Sequence, residues 1–140
     1  MSDLKSSLHK FGDFCIEFKR SDNRKSVINE MNIYTQDKMF LYGVKFDFHA
    51  AKALYRYMTS IGNTTDCFYY DFPSFNPNNI CRLSVSQVTP FEVHLIFEFQ
   101  NINDVYNHHY IRMTFEEYKD FVFNFFFILL IDLVNEPGEE

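Results

Sequence analysis

Five histidines, three cysteines and nineteen carboxylates give this 140-residue chain the raw material for catalysis or metal binding, but their spacing supports neither. His108 and His109 are adjacent. On an extended strand adjacent side chains point to opposite faces, so the two cannot share one metal ion. No HExxH and no i,i+4 pair of His or Cys falls on a predicted helix. No GxSxG is present, and the 4 glycines are scattered, so no Gly-rich loop is available to cradle a phosphate. Glu116–Glu117 reads as helix N-terminal charge and Glu139–Glu140 as a solvated tail. The expectation is a protein without metal, cofactor or enzymatic activity.

Residues suited to binding are easier to find. The connection Asn63–Ile80 contains Asp66, Tyr69, Tyr70 and Asp71. Long loops are often functional. Tyrosine is a large, rigid, amphipathic contact residue. The flanking carboxylates suit a basic partner. Glu92, Glu98 and Asp104 add acidic groups on the neighbouring hairpin. An alternative contact set is basic. Lys19, Arg20, Arg24 and Lys25 cluster about a turn that could straddle a phosphate backbone, with Tyr34 or Tyr42 on a sheet face to stack bases. Charge favours the first set: the net charge is −6, with an excess of basic groups over residues 1–65 and of acidic groups over 66–140. An acidic surface repels nucleic acid at long range and attracts basic partners.

The elements that position these residues follow from periodicity. Phe14, Ile16 and Phe18 alternate with polar neighbours and predict a strand; residues 20–26 are a polar turn, and Val27–Thr35 is a second strand. Met39–Phe46 alternates again. Ala50, Leu54, Tyr57 and Ile61 then recur at helical spacing, with Asp47 as N-cap and Gly62 as the terminating glycine. After the connection, Cys81–Gln87, Val93–Phe99 and His109–Met113 read as strands. Thr114 and Glu117 form a capping box that opens a helix from Phe115 to about Val134, before Pro137-Gly138.

A shift of 67 positions lays residues 44–48 on 111–115, so that Asp47 falls on Thr114 and Lys52 on Lys119. The expectation is one α+β domain over residues 1–140, an antiparallel sheet framework with two helices, built from duplicated βββα halves at about 14–62 and 81–134. Phe121–Ile131 is apolar around the helix and must be covered by the core or by a second copy in a homodimer. The run is too short to span a membrane. Residues 1–13 hold no signal-peptide core, and the odd cysteine count without CxxC suits reduced thiols, so the expected location is cytoplasmic.

The strand-to-helix junctions at 44–48 and 111–115, in halves that each run from strands into a helix, resemble the Whirly and PC4-like architecture over about residues 14–134. That resemblance implies single-stranded nucleic-acid binding. In general character, as a small, acidic, aromatic-rich α+β chain without catalytic motifs, the protein also resembles the immunity proteins of contact-dependent growth inhibition and other polymorphic toxin systems. This second resemblance implies occlusion of a toxin domain, often a basic nuclease. Neutralisation of a basic partner protein is the first expectation from the sequence, and single-strand nucleic-acid binding the alternative.

Overall fold

The computed structural model describes residues 3–22, 27–72, 80–100 and 106–130. Its elements are β1 (Asp3–Phe11), β2 (Phe14–Asp22), β3 (Val27–Thr35), β4 (Phe40–Phe46) and α1 (Phe48–Thr59), then β5 (Cys67–Asp71), β6 (Ile80–Thr89), β7 (Glu92–Gln100), β8 (Tyr106–Thr114) and α2 (Phe115–Leu129). Strands β1 to β4 form one antiparallel meander and β5 to β8 a second. The architecture is α+β with two sheets and two helices, and both halves run in the same element order.

Each half therefore has four strands before its helix, one more than the sequence pattern predicts. The missed strands lie at sheet edges. β1 (DLKSSLHKF) carries few apolar residues, and they do not alternate. β5 (CFYYD) is short, lies in the connection read as a loop, and shows four non-charged side chains in a row. Backbone pairing with β2 and β6 places these strands, and Phe11, Phe68 and Tyr70 pack them on the core. β2 also runs on through Arg20 to Asp22, where a turn is predicted.

The helix starts follow the expected chemistry. The Asp47 carboxylate accepts from the Ala50 N–H at 2.8 Å. Thr114 and Glu117 exchange hydrogen bonds at 3.0 and 2.8 Å, closing the capping box. Gly62 does not serve as predicted. α1 ends at Ser60, whose hydroxyl donates to the Tyr57 carbonyl at 2.6 Å, and Gly62 has no left-handed backbone. The predicted extension of α2 to Val134 falls outside the described residues.

The core is one cluster shared by both sheets and both helices. From sheet one come Ile16, Phe18, Met31, Ile33 and Phe46; from sheet two come Leu83, Val85, Leu95, Phe97 and Ile111. Tyr118, Phe121, Phe125, Ile128 and Leu129 of α2 lie among them. Each large apolar side chain buried this way contributes about 1.5–3 kcal/mol. Core burial thus accounts for most of the apolar helix and leaves only Phe123 and Phe127 well exposed, their rings stacked at 6.0 Å. Among the described residues no helix is long and apolar enough to cross a membrane.

The sheets meet where the β1–β2 turn abuts β8. Gly12 adopts φ +62°, and a Cβ there would lie 2.7 Å from the Arg112 carbonyl oxygen. Phe14 meets His109 edge-on at 6.0 Å. Left-handed strain and backbone overlap act together in Gly12→Ala, so this variant is expected to lose about 1–3 kcal/mol in a urea titration; an unchanged midpoint would show that the junction tolerates a side chain.

Alkaline pH gives a second test. Burial pushes the Cys81 thiol up to about 12 and raises the Tyr118 phenol further. The hydrogen bond to Glu17 is the main cause that pushes Tyr34 up to about 12. These raised values mean the stabilisation is complete while the unfolded chain keeps all three protonated, below about pH 8.5, the free thiol's value. Above that the unfolded chain ionises first, so stability falls as pH rises. Urea midpoints measured from neutral pH to about 10.5, near the free tyrosine value, should decline progressively; a flat profile would contradict the burial.

Candidate functional site

Antiparallel sheets packed on one face leave the other to solvent. On the second sheet that outer face is set by register. Tyr69, Ser84, Ile96 and Tyr110 form one cross-strand row through β5, β6, β7 and β8. Asp71, Arg82, Glu98 and His108 form the next row on one side; Cys67, Ser86, His94 and Arg112 form the row on the other. The intervening residues Leu83, Val85, Leu95 and Phe97 are fully buried, so period-2 alternation sends all three rows outward. Adjacent strands lie about 4.8 Å apart, which puts Tyr69 and Tyr110 about 14 Å from one another.

Both tyrosines are exposed, and each is paired with a guanidinium. Tyr69 is 60% accessible, with the Arg82 guanidinium 4.2 Å from its ring centroid. Arg82 also grips Asp71 through two hydrogen bonds, Nε to Oδ1 at 2.5 Å and Nη2 to Oδ2 at 3.1 Å. That hydrogen bonding holds the Asp71 carboxyl below its ordinary value and raises Arg82. Arg112 lies 5.7 Å from the Tyr110 ring. The Tyr110 hydroxyl is hydrogen-bonded to His94 Nδ1. His94 Nε2 lies 3.2 Å from Glu92 Oε2, an ion-pair approach off the hydrogen-bond axis that leaves Nε2 without a hydrogen-bond partner. A groove of about 650 Å³, lined by Tyr57, Cys67, Phe68, Tyr69, Ser84 and Ser86, runs along the β5 side of the face.

The predicted partner-binding residues divide. Tyr69, Asp71, Glu92 and Glu98 share this outer face. Tyr70 does not: it points to the opposite side, between Tyr57 at 6.1 Å and Phe72 at 5.2 Å, and burial raises its phenol. Asp66 is a local cap, accepting from the Gly62 and Asn63 N–H groups at 3.0 and 2.8 Å. Asp104 lies outside the described residues.

The predicted basic turn does not form one cluster. Lys19 and Arg20 are neighbours on β2 and point to opposite faces. Arg20 is 3% exposed on the core side, beside Asn29 in the register. Arg24 and Lys25 lie outside the described residues. Tyr34 lies on the outer face of the first sheet, donating to Glu17 Oε1 at 2.8 Å, where Asn32 Nδ2 also donates at 3.1 Å. The Tyr42 side chain is outside the described residues.

Arg82, His94, Ile96, Tyr110 and Arg112 were not singled out from sequence. A signal was present: Arg82, Ser84 and Ser86 alternate with buried Cys81, Leu83 and Val85, so their parity already marks an outward row. His108 and His109 do face opposite ways, His108 exposed and His109 half-buried, where burial lowers its pKa. Among the described residues no group of three or more His, Cys, Asp or Glu is placed to hold a metal ion.

No protein-family model matches the chain. No curated protein matches it either. Solved structures do. The crystal structure of WHY1 from Arabidopsis thaliana aligns with a TM-score of 0.56 over 92% of this chain and 89% of that one, at 12% identity. At that identity the likeness is one of architecture, and the chain has the fold of the Whirly protein WHY1.

Proposed function

We propose that this protein binds single-stranded nucleic acid across the outer face of the second sheet and acts as a binder, not a catalyst. One observation carries the reading: a cross-strand row with an exposed tyrosine at each end, each under a guanidinium. Bases stack on aromatic rings on such sheet faces, and arginine adds cation–π and phosphate contacts. The Whirly-like fold fits the same reading, which the resemblance to that architecture implies.

Local charge sets the balance of forces. The face carries Arg82 and Arg112 against Asp71, Glu92 and Glu98. Little affinity can come from counterion release, so most must come from stacking. A second reading, occlusion of a basic toxin domain, is supported by those same three carboxylates on one face. It is weaker, because Asp71 is already paired with Arg82 and Asp66 is spent within its loop.

The test is fluorescence anisotropy of a labelled oligothymidylate. With two cations on the face, one of them paired with Asp71, log K against log salt should have a slope no steeper than about −1.4, two phosphates' worth for a single strand. Tyr69→Ala and Tyr110→Ala should each weaken binding about tenfold, within the range for one lost base stack, while Tyr34→Ala leaves it unchanged. A steep slope with full affinity in both sheet-two variants would move the site elsewhere. Absence of binding at low salt, with a basic protein partner captured instead and lost in Glu98→Lys, would favour the second reading.

A further inference from the structure

At the β8 edge of this face lies a smaller pocket of about 190 Å³, lined by Gly12, Asp13, Phe14, Tyr110 and Arg112. Its walls come from different sheets: the β1–β2 turn on one side and β8 on the other. At about 30 Å³ per water it holds the equivalent of about six waters. That is below the size of a drug-like site and suits one planar group.

The walls are fixed from behind. Gly12, at φ +62°, lets the turn close against the Arg112 carbonyl. His109 meets Phe14 edge-on at 6.0 Å. The hydrogen bond between the Tyr110 hydroxyl and His94 Nδ1 pins the tyrosine ring. Asp13 and Arg112 both line the pocket without forming an ion pair with each other, and among the described residues Asp13 has no hydrogen-bond or ion-pair partner. Asp13, Phe14, Tyr110 and Arg112 thus line a space the size of one base, and the carboxylate of Asp13 is solvated.

We propose that this pocket is a guanine subsite, resting on the nucleic-acid reading of the adjoining face. A carboxylate only accepts hydrogen bonds, and its two oxygens match two parallel donors. Guanine presents such a pair on its Watson–Crick edge, N1–H and the N2 amine. Adenine and cytosine place a ring-nitrogen lone pair beside their amine, and thymine or uracil flanks its one N–H with two carbonyls. Each of these would set an acceptor against an Asp13 oxygen. Unstacked bases of single strands are read on this edge while stacked on aromatic rings. Phe14 and Tyr110 supply the apolar contact, and Arg112 takes the attached phosphate.

The experiment compares oligothymidylates of one length carrying a single central guanine, inosine, adenine or thymine. The guanine strand should bind about tenfold tighter than the all-thymine strand, a discrimination of the size one bidentate contact gives. Inosine keeps N1–H but lacks the N2 amine, so it should fall between them; this arm needs no protein variant. Asp13→Asn, with folding checked by circular dichroism, should bring the guanine and inosine strands to equal affinity. Equal binding of all four strands by the unaltered protein, or a guanine preference that survives Asp13→Asn, overturns the subsite and leaves the sheet-face reading standing. Failure to bind any strand overturns both.

Discussion

Everything in this structure hangs on the need to cover the apolar side of α2, which leaves one stripe, Glu116, Lys119, Asp120, Phe123 and Phe127, to solvent. Phe121 meets Phe11 of β1 at 5.6 Å and Phe18 of β2 at 5.4 Å. Phe125 meets Phe18 at 5.7 Å and Phe46 of β4 at 6.1 Å. One turn earlier, the buried Tyr118 hydroxyl donates to the Met58 carbonyl of α1 at 2.7 Å, so the polar tip of the ring finds a partner inside the core. The helix also packs on β7 and β8. A single apolar helix therefore holds two sheets and the first helix in one relation. Edge-to-face and offset aromatic contacts give that relation a definite geometry beyond area burial alone.

Because each sheet spends one face on that helix-centred core, each has one face left, and the two remaining faces differ. On the first sheet Glu17 is occupied by Tyr34 and Asn32, and a Cβ at Gly43 would collide with the Asn32 amide. Those three side chains satisfy one another. On the second sheet the tyrosine rings are turned to solvent under guanidinium groups, and only the Tyr110 hydroxyl is tied down. A ring pinned at its tip with its face exposed is pre-organised for stacking, which reduces the ordering cost of binding.

Most of the fold was legible in the sequence because burial there is periodic. The alternation at Phe14–Phe18 and Val93–Phe99 and the caps at Asp47 and Thr114 each couple a local rule to the core. The edge strands were not legible: β1 puts few apolar residues on the core, and β5 is five residues long with Phe68, Tyr69 and Tyr70 in a row, so its alternation shows only in burial. The site was half legible. Tyr69, Asp71, Glu92 and Glu98 were found as aromatic and acidic residues, yet they came from segments with no visible relation until register aligned them. Tyr70 was misplaced by the same missing strand, since only its parity in β5 distinguishes it from Tyr69. Arg20 was misread as a turn cation because β2 continues through it into the core.

The acidic charge of the second half argues less against nucleic acid than its size suggests. Several of its carboxylates are committed locally: Asp66 caps its loop, Asp71 pairs with Arg82, Glu117 closes the capping box and Glu116 meets Lys119 at 2.8 Å. Their repulsion reaches a bound strand mainly through solvent, where charges more than about 8 Å apart are screened at physiological salt. Stacking on Tyr69 and Tyr110 is not screened in this way. On the proposed reading salt acts in two opposed directions, weakening phosphate contacts at Arg82 and Arg112 while relieving the long-range repulsion. On that proposal, a face built on rings with few cations is the arrangement by which an acidic chain would hold a polyanion at working ionic strength.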